Sequence, residues 1–128
     1  MVFTFTKKKV IELDVFRQYC LAKKGVSEGM PFGEDLLVFK VLDKMFATLW
    51  LDPDHPSTNL KCEPERAEEF RANYADIRPG YHMNKKHWNT VGLLGDVPDP
   101  LIYQLIDHSY ELVVAGMTRA KRIALHDS

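Results

Sequence analysis

The sequence predicts an α+β fold, a two-layer sandwich in which an antiparallel sheet carries helices on one face, in the order α-β-β-β-α-β-α. Three observations lead there. Apolar residues recur at helical period over residues 8–24 and again over residues 101–116. Two dense apolar runs, LLVFKVL and MFATLWL, stand two residues apart, and the segments TNLKC and HWNTVGLL alternate in polarity with period two.

Taken in order, VFTFT at residues 2–6 suits an edge strand or a frayed tail equally. From Lys8 to Lys24, Ile11, Val15 and Tyr19 lie along one side and Leu13, Phe16 and Cys20 along an adjoining one, a broad apolar helix face that Gly25 ends. After MPFGED come the two apolar runs, with Asp43 and Lys44 as a two-residue hairpin turn. Both runs are apolar enough on both faces to lie centrally. DPDHP, residues 52–56, must be a loop, because two prolines and two aspartates cannot continue a ladder.

Thr58, Leu60 and Cys62 then alternate with Asn59, Lys61 and Glu63, a strand with one buried and one wet face. Pro64 suits the first position of a helix through Tyr74, whose narrow stripe of Ala67, Phe70 and Tyr74 places it on the surface. Pro79 and Gly80 make residues 77–84 a loop, and Trp88 begins the next strand. Asp96, Pro98, Asp99 and Pro100 introduce the longest helix. There Leu101, Leu105, Ser109, Leu112 and Gly116 share a face with Ile102, Ile106 and Val113 beside them, while Gln104, Asp107, His108 and Glu111 point to water. This helix should cap the sheet, with Ser109 and Gly116 small enough for close approach.

The 128 residues suit one domain over the whole chain, with a core over about residues 8–118 and flexible ends. Seventeen basic residues against eighteen acidic ones leave no whole-molecule field to attract nucleic acid or an anionic membrane, so any basic surface is local. MVFTFTKKKVIELD lacks the apolar stretch of a signal peptide or membrane span, and a cytoplasmic location is expected. Cys20 and Cys62 fall within a helix and a strand pattern, without CxxC spacing, and read as buried, reduced thiols.

Two strings carry a resemblance: PFGEDLLVFKVLDKMFATLWL at residues 31–51 and RPGYHMNKKHWNTV at residues 78–91. With YCLAKKGVSEGMPFG upstream and DPLIYQLIDHSYELV downstream, in this order, they resemble the MmcQ/YjbR family of small bacterial proteins over about Val10 to Val114. The resemblance implies a frataxin-like fold. It also implies DNA binding through a pair of wing-like hairpins, in a family that is largely uncharacterised and brings no catalytic set. Glu63 departs from the small helix-capping residue usual before Pro64, so a weak cap is expected there.

Nucleic-acid contact is the leading functional reading. Arg78, His82, Asn84, Lys85 and Lys86 would meet phosphates, Lys40, Lys44 and Lys61 would extend the positive strip, and Arg119, Lys121 and Arg122 would form a flexible addition. Trp88 or Tyr81 would stack on a base. The competing structural role for the same residues is a loop held by His82 and Asn84, with solvated lysines and Trp88 in the core.

A metal site from His82, His87, His55 or Cys62 lacks HExxH or cysteine-pair spacing, and EPERAEEF reads as a solvated helix face, so no metal or cofactor is expected. No GxSxG elbow, phosphate-binding glycine loop or nucleophile with an evident base is present, so a non-enzymatic protein is expected. Phe39, Met45, Phe46 and Trp50 suit core packing. The alternatives are a small ligand held between sheet and helix near His87, Trp88 and Tyr103, and a protein partner at a sheet edge. DNA, bound without sequence specificity, is the expected partner.

Overall fold

The computed structural model describes residues 12–127, so the suggested edge strand at residues 2–6 and the start expected for the first helix lie outside the described residues. The chain forms α1 (Leu13–Leu21), β1 (Val26–Gly29), β2 (Leu36–Val41), β3 (Lys44–Trp50), β4 (Ser57–Lys61), α2 (Pro64–Asn73), β5 (Ile77–Pro79), β6 (Trp88–Gly92), α3 (Asp99–Ala115) and α4 (Arg119–His126). All strands join one antiparallel six-stranded sheet in the order β1-β2-β3-β4-β6-β5. The α+β class and the antiparallel sheet are as expected; β1, β5 and α4 are additions.

α3 lies across β2, β3 and β4, with α1 beside β1 and α2 beside β5. Phe16 and Cys20 of α1 and Ile102, Leu105, Ile106 and Val113 of α3 meet Leu37, Phe39, Val41, Leu49 and Leu60 of the sheet in one core. The pairing of β2 with β3 slips by one residue after Phe39, which makes Phe46 an extra residue on β3. That bulge turns Phe46 and Ala47 in succession into the core, where Phe46 meets Tyr110 edge-on with ring centroids 5.4 Å apart.

Several sequence expectations shift. α1 ends at Leu21, and Gly25, at φ +72°, instead turns the chain into β1 and accepts at its carbonyl from the Leu42 amide, 2.9 Å away. A Cβ at Gly25 would come within 2.5 Å of a terminal methyl of Leu125 on α4, which a turn of that side chain can relieve, so it is the backbone conformation that favours glycine there. The hairpin turn is Leu42–Asp43, with Leu42 at φ 57°, and Lys44 already belongs to β3. Asp107 and His108 are half-buried rather than free in water. Asp107 accepts from Tyr19 of α1 and from Lys23 just after it, at 2.7 and 2.5 Å, while His108 Nε2 accepts from the Glu63 amide at the start of α2. Glu63 itself supplies no side-chain cap.

Ser109 is fully buried and does more than allow close approach. Its hydroxyl donates to the Phe46 carbonyl at 2.5 Å and accepts from the Lys61 amide at 2.8 Å. α3 thus stands in for the missing ladder where β3 and β4 separate. Gly116 has no such role: it lies exposed at the end of α3, where a Cβ would meet only ordinary contacts. α4 replaces the expected flexible basic tail, capped by Thr118, whose hydroxyl accepts from the Lys121 amide, and seated by buried Leu125.

Candidate nucleic-acid interface

Because cross-strand partners share a face, the register maps the sheet surface turned away from α3. One row runs Ser27, Lys40, Met45, then Lys61 and Trp88. The next holds Val38, Thr48, Asn59, Thr90 and Arg78, and a third holds Leu36, Trp50, Ser57 and Gly92. Among the described residues, the charged strand side chains on this face are Lys40, Lys61 and Arg78, and no strand carboxylate shares it.

The centre of the middle row, Thr48, Asn59 and Thr90, is polar yet buried, which corrects the expectation that the second face of β4 is wet at Asn59. Thr48 Oγ1 accepts from the Asn59 amide at 2.9 Å, and Thr90 Oγ1 donates to Asn59 Oδ1 at 2.6 Å. The loop after β5 folds over this row. The Tyr81 amide donates to Thr90 Oγ1 at 2.8 Å, and the Asn59 side-chain amide donates to the Tyr81 carbonyl at 3.0 Å. These buried polar atoms are all partnered, so the loop is positioned by bonds that would be costly to break.

The loop itself is a β5–β6 hairpin. Gly80 opens it against Trp88, where a Cβ would approach the Trp88 backbone and side chain to under 3 Å. Asn84 holds its tip, accepting at Oδ1 from the Lys86 amide and at its carbonyl from the amides of His87 and Trp88. Among the described residues His82 makes no comparable bond; at φ 57° its ring rests 4.0 Å from that of Tyr81. Lys85 and Lys86 are exposed, with Lys85 Nζ reaching the Gly80 carbonyl. Arg71 of α2, which the sequence alone does not single out, clamps the hairpin from below by donating to Asn89 Oδ1 and to the Lys85 carbonyl.

The basic side chains sort into two groups. Arg17, Lys23 and Lys121 are spent in ion pairs with Glu28, Asp107 and Asp43. Among the described residues, none of Lys40, Lys44, Lys61, Arg78, Lys85 and Lys86 has a carboxylate partner. Lys44 and Lys61 join Met45 and Trp88 around a cleft beside the end of α3. Half-buried Trp88 therefore belongs to the surface as well as to the sheet.

A larger concavity of about 450 Å³ opens beyond Tyr81, lined by Trp50, Asp52, His55, Ser57, Arg78 and Tyr81 among others. Trp50 lines this pocket and is only half-buried, unlike its fully buried neighbours Phe39 and Phe46. The sequence shows Trp50 in a run apolar on both faces; among the described residues no helix packs over this end of the sheet on its side. Tyr103 lies elsewhere, its ring 4.7 Å from that of Tyr19, and precedes the cleft-lining Val113 by about 15 Å of helix rise. The fold does not gather it with His87 and Trp88 around one cavity.

His55 sits at the pocket, His82 on the exposed loop, and His87 is half-buried with its carbonyl accepting from the Cys62 amide. Among the described residues no three His, Cys, Asp or Glu side chains converge as a metal site would require. Both cysteines are free and buried; burial pushes the Cys20 thiol up to about 12 and raises Cys62. Among the described residues no helix is long and apolar enough to cross a membrane.

The family model described as YjbR matches residues 21–112. The chain is 40% identical over 105 residues to the uncharacterised protein YjbR of Escherichia coli K12, spanning 82% of this chain and 89% of that one. A shorter match, 46% over 54 residues, links it to the uncharacterised Bacillus subtilis protein YyaQ, covering 42% of this chain and 45% of that protein. Its fold is similar to the crystal structure of Deinococcus radiodurans DR2400, with TM-score 0.80 and 43% identity over 88% of this chain and 86% of that one. A Pseudomonas syringae crystal structure aligns at TM-score 0.69 and 30% identity, covering 80% and 98% of the two chains. By the extent of the family match and the identity of these relatives, the chain belongs to the YjbR family.

Proposed function

We propose that this protein is a non-enzymatic nucleic-acid-binding domain that meets phosphates with the sheet face turned away from α3 and the adjoining β5–β6 hairpin. The observation that carries the reading is the charge sorting on that face: Lys40, Lys61 and Arg78 stand on the strands without a strand carboxylate. Lys85 and Lys86 extend the same sign on the hairpin beside them. Neighbouring strands are about 4.8 Å apart, so Lys40 on β2 and Lys61 on β4 are separated by roughly 10 Å of sheet. That spacing suits contacts along one backbone, and near-neutral net charge keeps the attraction confined to this face.

A non-enzymatic role agrees with the two thiols, which are buried and which burial holds in the protonated form. Readout of base sequence forms no part of the proposal. Titration of a labelled duplex should show binding in the micromolar range at low salt, weakening steeply as salt rises. Replacing Lys85 and Lys86 with alanine should flatten the log–log salt dependence by roughly one unit for each phosphate no longer neutralised. Absence of binding at tens of micromolar protein in low salt would reject the proposal.

A further inference from the structure

We propose that the Trp50–Tyr81 pocket receives one unpaired nucleobase, so that single-stranded nucleic acid is the preferred ligand; this rests on the nucleic-acid reading above. At about 450 Å³ the pocket falls in the size range of sites for small organic ligands, and it opens on the face that carries Arg78. The Trp50 and Tyr81 rings stand 6.2 Å apart at 69°, two walls of a corner. A planar base laid on one ring would meet the edge of the other, which satisfies both stacking and edge-to-face preferences of π systems.

Tyr81 remains 55% exposed although its backbone is bonded to the sheet on both sides, through its amide to Thr90 and its carbonyl from Asn59. An aromatic held at the surface by a fixed backbone loses little freedom when something stacks on it. Around the corner the chemistry divides. Arg78 and His55 offer donors suited to a phosphate, and Ser57 offers a hydroxyl to a base edge. Asp52 already accepts at Oδ1 from the amides of Asp54 and His55, and its other oxygen suits the N–H groups of a base edge rather than a phosphate.

A base within a duplex has its faces stacked and its pairing edge occupied, so it reaches such a corner only by flipping out. A single strand presents faces and edges without that cost. The lysine row would track the backbone of either form, which leaves the pocket to create the preference.

The test titrates one labelled single strand of about twelve nucleotides, and the duplex of the same sequence, with the full chain at one salt concentration. The single strand should bind roughly tenfold tighter. Trp50→Ala and Tyr81→Ala should each weaken single-strand binding by roughly tenfold and leave duplex binding unchanged. Tyr81→Ala keeps the test decisive should Trp50→Ala fail to fold, because the Tyr81 bonds to the sheet are made by its backbone. Duplex binding with no single-strand preference, or variants that weaken both forms alike, would overturn the base pocket while leaving the phosphate reading standing. Loss of binding to both forms would overturn the two together. Binding of adenosine monophosphate without binding of the strand would overturn the proposal in favour of a free nucleotide.

Discussion

Ser109→Ala should destabilise the fold far more than the loss of one oxygen atom suggests. The hydroxyl satisfies two backbone groups between separated strands, the Phe46 carbonyl and the Lys61 amide, at 2.5 and 2.8 Å. An unsatisfied buried polar group costs ~1–3 kcal/mol, and water can reach the part-buried Lys61 amide more easily than the Phe46 carbonyl, so the expected loss is about 2–4 kcal/mol. For a chain of this length the upper part of that range lowers Tm by roughly 10 °C. Urea unfolding followed by circular dichroism reads it directly, as a lower midpoint at unchanged slope. A loss below ~0.5 kcal/mol, the range of an ordinary surface change, would refute the reasoning by showing that β3 and β4 close up and pair without the hydroxyl.

Arg71→Ala should release the β5–β6 hairpin by leaving buried Asn89 without its charged donor, at about 1.5–3 kcal/mol; amide exchange over residues 80–88 should quicken before the core exchanges. Cys20 and Cys62 should resist a thiol reagent in the folded protein and react on unfolding in urea, and rapid labelling under native conditions would contradict their burial. His108 is held below the ordinary imidazole range by burial and then by the Arg66 charge. Its unfolded form binds the proton more readily, so the stability it contributes is present above about pH 6.5 and falls as pH drops from there toward its folded pKa. His108→Gln should flatten that part of the stability profile, and an unchanged profile would argue against the assignment.

The regular elements were legible in the sequence because their apolar periodicity was strong, as in α3 and the β2–β3 hairpin. β1 escaped because VSEG offers a single apolar residue and is too short to establish alternation. β5 escaped because Pro79 signals a loop, although an edge strand tolerates a residue without an amide hydrogen. The candidate site was visible in the sequence as lysines but not at Trp50, since period two cannot tell which face of a doubly apolar strand a helix layer will cover. Arg71 gave no local signal either; its role depends on a contact across 14–18 positions that only the fold creates.

The proposed confinement of phosphate contact to one face of the sheet is tested by removing equal charge from two different places. Lys40→Ala with Lys61→Ala removes two cations from the face turned away from α3; Arg17→Ala with Arg66→Ala removes two from the helix side, beside Glu28 and His108, at the same net charge. The slope of log binding constant against log salt should fall in magnitude by nearly two for the first pair and stay unchanged for the second. Equal slopes for the two pairs would contradict the account.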